Sequence, residues 1–286
     1  MRINHNIAAM VTQGALYQTS QSLSQSLERL STGLRINRAS DDAAGLGVSE
    51  NLRTQVNGTA QASRNAQDGI AALNVAEGAA NEVSSILQRM RELAVQSSND
   101  TLTSTERSYT DSEYQALSQE IDRISQVTNY NRQDLLSTAA NRFGGSGSAL
   151  WIDANNTVGV DSITVTIDTL TTGALGIGTF GVAGGKLSTV SDQPSAVNAI
   201  SALDTAINSV NTMRAGIGAF VNRLEDAINN LNVSNTNQQA AESQIRDVDF
   251  ASETSIFTKD QILMQSATAM LAQANSLPSG VLTLFK

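Results

Sequence analysis

Apolar residues recur every three or four positions in the first part of the chain. The series begins with Ile3, Ile7, Met10 and Tyr17 and, after a one-residue slip, continues in Leu16, Leu23, Leu27, Leu30 and Leu34. This spacing is typical of a coiled-coil stripe and predicts an amphipathic helix over residues 3–33. A polar run over residues 35–42 interrupts the pattern. Ser40, with two acids behind it, is the expected N-cap of a second helix.

The second predicted helix covers residues 43–99. Its apolar stripe runs without interruption from Leu73 to Ala94. At 1.5 Å per residue such a helix would be roughly 80–90 Å long, which exceeds any ordinary single core. The polar residues 97–100 end it, and Thr103 with Glu106 three residues later matches a capping box that opens a third helix.

The middle of the chain, from Tyr130 to about Ser191, is rich in Gly, Thr, Ser and Asn. Alternating apolar residues at Ile163, Val165 and Ile167 predict short β-hairpins, with a turn expected at residues 155–156. Residues 173–185 contain too many glycines for a stable helix.

The clearest helical stripe follows Pro194, which suits the first turn of a helix. Arg214 is its one polar exception, and the polar residues 232–239 weaken the pattern. The repeat then resumes near the end of the chain in Leu263, Ala267, Met270, Ala274, Leu277, Val281 and Leu284, disturbed only by Pro278. The residues expected to pack the helices of the core are Leu73, Val83, Ile200, Leu203, Ile207, Val210, Ile217, Val221 and Leu224.

Helical stripes at both ends and an irregular middle predict a chain that folds back on itself. The expected fold class is mainly α: a long antiparallel coiled-coil bundle of paired N- and C-terminal segments, with a small β-hairpin region in the middle. One coiled-coil seam buries only a narrow stripe, so the terminal helices should keep apolar faces that another subunit covers.

Contacts between unlike faces of identical subunits extend into an open filament unless a rotation closes them. Because isolated helices are marginal, both termini are expected to be poorly ordered in the monomer and to fold during assembly. The assembly residues predicted from the terminal stripes are Ile3, Ile7, Leu23, Leu27, Leu30, Leu263, Met270, Leu277, Val281 and Leu284.

Composition and charge exclude several classes of function. The net charge is −9 without a Lys/Arg cluster, which argues against binding of nucleic acid or anionic lipid. The chain has no Cys and a single His, His5, so no catalytic, cofactor or metal site is expected. The G-x-G-x-x-G spelling at residues 176–181 is not followed by a helix, as a dinucleotide site requires.

The N-terminus lacks the apolar core of a secretory signal, and no stretch of 18 apolar residues occurs anywhere. We therefore expect no membrane insertion and, if the protein leaves the cell, transport by a dedicated machine.

Several motifs resemble those of bacterial flagellins. In the N-terminal half these are ERLSTGLRIN at residues 28–37, DDAAG at 41–45, QASRNAQDGI at 61–70 and QRMRELAVQ at 88–96. In the C-terminal half they are SQIRDVD at 243–249, QIL at 261–263, LAQAN at 271–275 and VLTLFK at 281–286. The resemblance covers residues 1–142 and 192–286 and implies a short flagellin without large outer domains.

The resemblance implies a structural, non-enzymatic subunit of an extracellular filament for swimming motility. It places residues 1–42 and 240–286 in an inner-tube helical domain, the former including a linker. It places residues 43–191 and 192–239 in a core domain, as N-terminal helices with the β region and as the C-terminal helix. Expected partners are copies of the same chain, an export chaperone of the flagellar type III apparatus, and the filament cap and hook-junction proteins.

Some flagellins are recognised by Toll-like receptor 5 at a patch on the long helix and the helix that follows. The matching positions here are Leu87, Gln88, Arg89, Leu93 and Glu113. Two of these leucines also belong to a packing stripe, and the charged pair could equally make ordinary filament contacts. Both interpretations stay open on the sequence alone.

Two other identities compete with the filament subunit. A hook-filament junction protein shares terminal helices with flagellins, but the density of the C-terminal match favours the filament subunit. A secreted enzyme or toxin on a coiled-coil stalk is disfavoured because the chain lacks a nucleophile–base set and its insert is small.

Overall fold

The computed structural model describes residues 5–137, 143, 147–155, 157, 160–178 and 189–283, with the backbone alone for residues 277–283. Within these ranges the order of elements is α1 (Ile7–Thr32), α2 (Ala43–Ser97), α3 (Ser104–Val127), β1 (Asn129–Tyr130), β2 (Gln133–Asp134), β3 (Ser148–Trp151), β4 (Ser162–Val165), α4 (Gln193–Arg246) and α5 (Phe250–Thr283). The predicted fold class, mainly helical with a small β part in the middle, is confirmed.

The observed helix ends refine the predicted ones. The second helix ends at Ser97, two residues before the predicted limit. The capping box is confirmed, since the Thr103 hydroxyl accepts from the Glu106 N–H while the Glu106 carboxylate accepts from the Thr103 N–H. That backbone hydrogen bond lowers the pKa of Glu106. The polar residues 232–239 do not interrupt α4, which continues to Arg246.

The predicted N-cap at Ser40 is wrong. The side chain of Asp42 accepts a hydrogen bond of 2.8 Å from the N–H of Gly45, in the first turn of α2. Asp42 immediately precedes the helix, which is the position from which a short acidic side chain can reach an unpaired N–H of the first turn. The neighbouring Asp41 instead accepts hydrogen bonds within the loop before α2.

The alternating segment in the middle of the chain forms a strand as predicted. Ile163, Val165 and Ile167 are buried, and β4 pairs antiparallel with β3 in a register that joins Ser148 to Val165. Of the predicted turn at residues 155–156, Asn155 lies in a bend and Asn156 lies outside the described residues. The partner strand β3 was not predicted.

The chain divides into two compact units. We call Asn57–Asn235 the central unit and the pair of segments Met1–Val56 and Thr236–Lys286 the terminal unit. In the central unit, α2 and α4 run antiparallel, since Glu77 contacts Arg214 at 2.9 Å while Arg91, further along α2, contacts Asp204 at 2.6 Å.

One apolar cluster unites helices α2, α3 and α4 of the central unit with the β region. Among the residues predicted to pack the core, six are buried and three are partly buried against the cluster. The buried ones are Leu73, Val83, Leu203, Val210, Ile217 and Leu224, and the partly buried ones are Ile200, Ile207 and Val221. The central unit therefore has a continuous interior of its own.

Candidate assembly surface

The terminal unit is built on a pair formed by α1 and α5, and Asn6 fixes one end of this pair. Its Oδ1 atom accepts from the N–H of Ala9 at 3.1 Å and so caps the start of α1. Its Nδ2 atom donates to the carbonyl oxygen of Ala274 on α5 at 2.8 Å. A single amide side chain thus caps one helix and sets the antiparallel register of the two.

Gly33 fixes the other end. It terminates α1 in the left-handed region with φ 73°, a conformation that favours glycine, and its N–H donates to the carbonyl of Arg29. The Gly33 carbonyl then accepts from the N–H of Val248 at 3.0 Å, and the N–H of Arg35 donates to the carbonyl of Arg246 at 2.7 Å. These backbone bonds join the loop after α1 to the loop before α5.

The loop before α2 is held by Asp41. One carboxylate oxygen of Asp41 accepts from the backbone N–H groups of Arg38 and Asn37, at 2.9 and 3.1 Å. The bond from Arg38 and then that from Asn37 lower the pKa of Asp41, because both favour the charged carboxylate. The motif matched at residues 41–45 therefore forms a compact turn into α2.

Between these two ends the helices meet along a regular seam. Its members are half-buried or buried and advance by three and four residues in alternation, as in a coiled coil. The seam consists of Ala9, Thr12, Leu16, Thr19, Leu23, Ser26 and Leu30 on α1 and Glu253, Phe257, Asp260, Met264, Ala267, Leu271 and Ala274 on α5.

The predicted single stripe on α1 is wrong. The structure separates it into the seam and a second stripe that contains Ile7, Met10 and Tyr17, exposed by 56%, 63% and 72%. Two stripes offset by one residue satisfy the same three-and-four spacing but lie roughly 100° apart on the helix. The slip in the sequence pattern marks a change of face.

The same separation occurs on α5, where Leu263 and Met270 are exposed by 43% and 59% while Ala267 and Ala274 lie in the seam. We call the exposed large apolar residues of both helices, apart from Phe250 at the start of α5, the outer stripe. It consists of Ile7, Met10, Val11, Tyr17 and Leu27 on α1 and Ile256, Ile262, Leu263 and Met270 on α5.

Of the ten predicted assembly residues, Ile7, Leu27, Leu263 and Met270 lie in the outer stripe, whereas Leu23 and Leu30 lie in the seam. Ile3 and Leu284 lie outside the described residues, as do the side chains of Leu277 and Val281. The predicted assembly residues omitted Met10, Val11, Tyr17, Ile256 and Ile262, although Met10 and Tyr17 belong to the predicted apolar stripe of α1.

The five positions matching the innate-receptor pattern fall into two groups. Leu87 and Leu93 are buried in the central core, whereas Gln88, Arg89 and Glu113 are exposed. Arg89 and Glu113 form an ion pair of 2.9 Å between α2 and α3, and the hydrogen bond to Glu113 raises the pKa of Arg89. The surface part of the pattern is thus a polar and charged patch held in place by the leucines beneath it.

The described part of the chain offers little chemistry of other kinds. None of its helices is long and apolar enough to cross a membrane. A search of the same residues finds no group of three or more His, Cys, Asp or Glu side chains placed to hold a metal ion. Of the G-x-G-x-x-G spelling, Gly176 lies in a turn, Ile177 in a bend and Gly178 in an irregular segment, and the remainder lies outside the described residues.

Comparison with known proteins accounts for this architecture. Residues 3–141 match the family model described as the bacterial flagellin N-terminal helical region, and residues 200–285 match that of the C-terminal helical region. The chain belongs to the bacterial flagellin family. The two family models cover helices α1 and α5, which carry the outer stripe.

Relatives of this flagellin match it along its whole length. The flagellar filament 33 kDa core protein of Treponema phagedenis is 44% identical over 292 residues and flagellin of Bacillus subtilis is 44% identical over 313 residues, each alignment covering 100% of both chains. Among solved structures, the crystal structure of Bacillus cereus flagellin is 32% identical with a TM-score of 0.48, over 59% of this chain and 88% of that chain.

Proposed function

We propose that this flagellin, a structural subunit of the flagellar filament, polymerises through the outer stripe of its paired helices α1 and α5. The observation that carries the proposal is the placement of the large apolar residues of the pair. Ile7, Met10, Tyr17, Leu263 and Met270 all lie on the outside of the pair. Burial of such a surface by neighbouring copies would be worth about 25 cal/mol per Å².

Pairing and polymerisation are coupled in this proposal. A seam that contains Thr12, Thr19 and Ser26 returns little free energy, and isolated helices are marginal in water. Both helices therefore order only when other copies cover the outer stripe. Residues 1–42 and 240–286 form an inner tube, and the helices within residues 43–239 form a tube around it.

We propose the further partners on the basis of family membership. The chain is exported unfolded by the flagellar type III apparatus, with an export chaperone covering the terminal helices until assembly. Cap and hook-junction proteins bind the two ends of the filament. The exposed group Gln88, Arg89 and Glu113 is the surface offered to Toll-like receptor 5, and the chain has no enzymatic activity.

Polymerisation of purified full-length protein tests the proposal. Subunits mixed with filament seeds should elongate them into long helical filaments in electron micrographs, and removal of residues 1–32 should abolish growth while leaving the central unit folded. Persistent monomers, or subunits that only cap existing filaments, would favour a junction protein. Polymerisation of the truncated chain would show that α1 is not required.

A further inference from the structure

Two acidic residues occupy the apolar seam of the terminal unit. Glu253 is 5% exposed and Asp260 is 8% exposed, one heptad apart on α5. Glu253 has a partial partner, since Oε2 lies 3.7 Å from Nη1 of Arg29, although its Oε1 atom is buried without a hydrogen bond among the described residues. Asp260 has neither an ion pair nor a hydrogen bond within the described ranges, and its carboxylate oxygens are not completely shielded from solvent.

The position of Asp260 explains why it lacks a partner. The contacts of Asn6 with Ala274 and of Arg29 with Glu253 fix the antiparallel register and place Asp260 level with residues 19–23 of α1. At that level the hydroxyl of Thr19 donates within its own helix, to the carbonyl of Ala15 at 2.9 Å. The next seam residue, Leu23, has no donor to offer.

A buried carboxylate without a partner opposes the pairing of the two helices. The Asp260 carboxylate loses part of its hydration in the seam without gaining a protein hydrogen bond or a cation, so each closure of the seam costs free energy at that position. The same closure leaves Met10, Tyr17 and Met270 in water. The pair thus places two acids in the seam while several large apolar residues stay in water, an arrangement unfavourable for a self-sufficient helical hairpin.

We propose that Asp260 sets the threshold for assembly: it keeps α1 and α5 from pairing in a free subunit, so that pairing becomes favourable only when further copies cover the outer stripe. The inference rests on the proposed polymerisation through that stripe. It assigns the coupling between pairing and assembly to one side chain, which acts by its position in the seam.

Three variants of the full chain test this assignment. Asp260→Leu replaces the acid with an apolar side chain of similar length, and Asp260→Asn removes only the charge. Gln261→Leu is the matched control, since it adds the same leucine to an exposed position on the side of α5 away from the outer stripe. The measurements are hydrogen exchange of α1 and α5 amides in free subunits and the critical concentration for seeded growth.

Asp260→Leu should slow exchange in both helices at least tenfold and lower the critical concentration by about tenfold, which corresponds to about 1.4 kcal/mol per subunit. Asp260→Asn should act in the same direction with a smaller effect, and Gln261→Leu should behave as the wild type. Unchanged exchange in Asp260→Leu overturns the inference. A critical concentration that stays the same or rises also overturns it, and a rise would mean that another copy donates to Asp260 in the filament.

Failure of the polymerisation proposal itself has a different signature. Wild-type subunits would then fail to elongate seeds, while the exchange comparison between Asp260→Leu and Gln261→Leu would still report on Asp260. Wild-type α1 and α5 amides that are already protected in free subunits would instead overturn the inference about Asp260.

Discussion

The central unit buries its large apolar side chains between three helices, whereas the terminal unit leaves several large ones exposed along α1 and α5. Leu73, Leu87 and Leu203 are fully buried in the former, while Met10 and Tyr17 in the latter are mostly exposed. Both units have the same helical repeat in sequence, so the repeat alone does not decide whether a stripe closes within one chain. What decides this is the number of helices that are available to cover the stripe.

The seam of the terminal unit sharpens this contrast. A helix between two partners can bury two stripes, as the core helices do, but a helix with one partner can bury only one. In α1 and α5 the buried stripe includes polar residues such as Thr19 and Asp260. Large apolar residues remain exposed outside it, and we propose that other subunits cover them.

The largest expected effect of a single substitution lies in the central unit. Leu87→Ala should lower the free energy of unfolding of the subunit by about 2–5 kcal/mol, because it opens a cavity in a fully buried site. Urea denaturation of dilute subunits measures it. Val95→Ala, at an exposed site on the same helix, should stay within about 0.5 kcal/mol. Equal effects of the two would contradict the contrast in packing.

Substitutions in the outer stripe should weaken assembly without changing the stability of the free subunit. Each of Met10→Ser and Met270→Ser removes a side chain whose burial is worth about 1.5–3 kcal/mol, so each should raise the critical concentration by about tenfold to a hundredfold. Urea denaturation of the free subunit should not change. Ala15→Ser serves as the control, because Ala15 is an exposed residue of α1 that does not belong to the stripe and has only a methyl group to lose. A similar rise in that variant would mean that the large apolar side chains of the stripe are not the cause.

Sequence reasoning was most successful where one local rule was sufficient. Thr103 and Glu106 form the predicted capping box because both partners lie within one helical turn. The stripe from Leu73 to Ala94 is buried because the central helices supply partners on more than one side. The position of β4 followed from its alternation, which only an extended segment can place on one face.

Sequence reasoning was least successful where the packing of a second helix determines which of two neighbouring faces of a helix is buried. Ile7 and Leu16 both fit a helical stripe, and only the pairing with α5 shows that Leu16 enters the seam. Asp260 was overlooked because a search for apolar residues skips acids, although its heptad includes Ala267 and Ala274. The N-cap of α2 was predicted at Ser40 instead of Asp42 because Ser and Asp side chains are both able to cap a helix.

Substitutions of two glycines near the start of α2 should have smaller effects than those in the outer stripe. A Cβ atom on Gly45 would lie 2.4 Å from Oδ2 of Asp42 and 2.9 Å from Cδ1 of Ile36, whereas one on Gly47 would meet nothing within 4 Å. Gly45→Ala should destabilise the terminal unit by about 1–3 kcal/mol through lost capping and overpacking. Gly47→Ala should stabilise it by about 0.5–1 kcal/mol, since alanine favours a helix.

The melting of filaments, followed by circular dichroism, measures both glycine variants in the state where the terminal helices are ordered. The two substitutions should shift the melting temperature in opposite directions. A shift of the same sign and size would mean that the contact of Gly45 with the cap has no energetic weight.

The smallest expected effect is the pH dependence contributed by Asp41. The N–H groups of Arg38 and Asn37 lower its pKa in the folded loop, so the stability it adds is present above the ordinary pKa of about 3.9. That contribution is lost as the pH falls below this value and through the lowered folded pKa. Asp41→Asn should therefore reduce the melting temperature of filaments slightly at neutral pH. The difference from the wild type should shrink toward pH 2, and a constant difference across this range would show that the carboxylate charge plays no part in holding the loop.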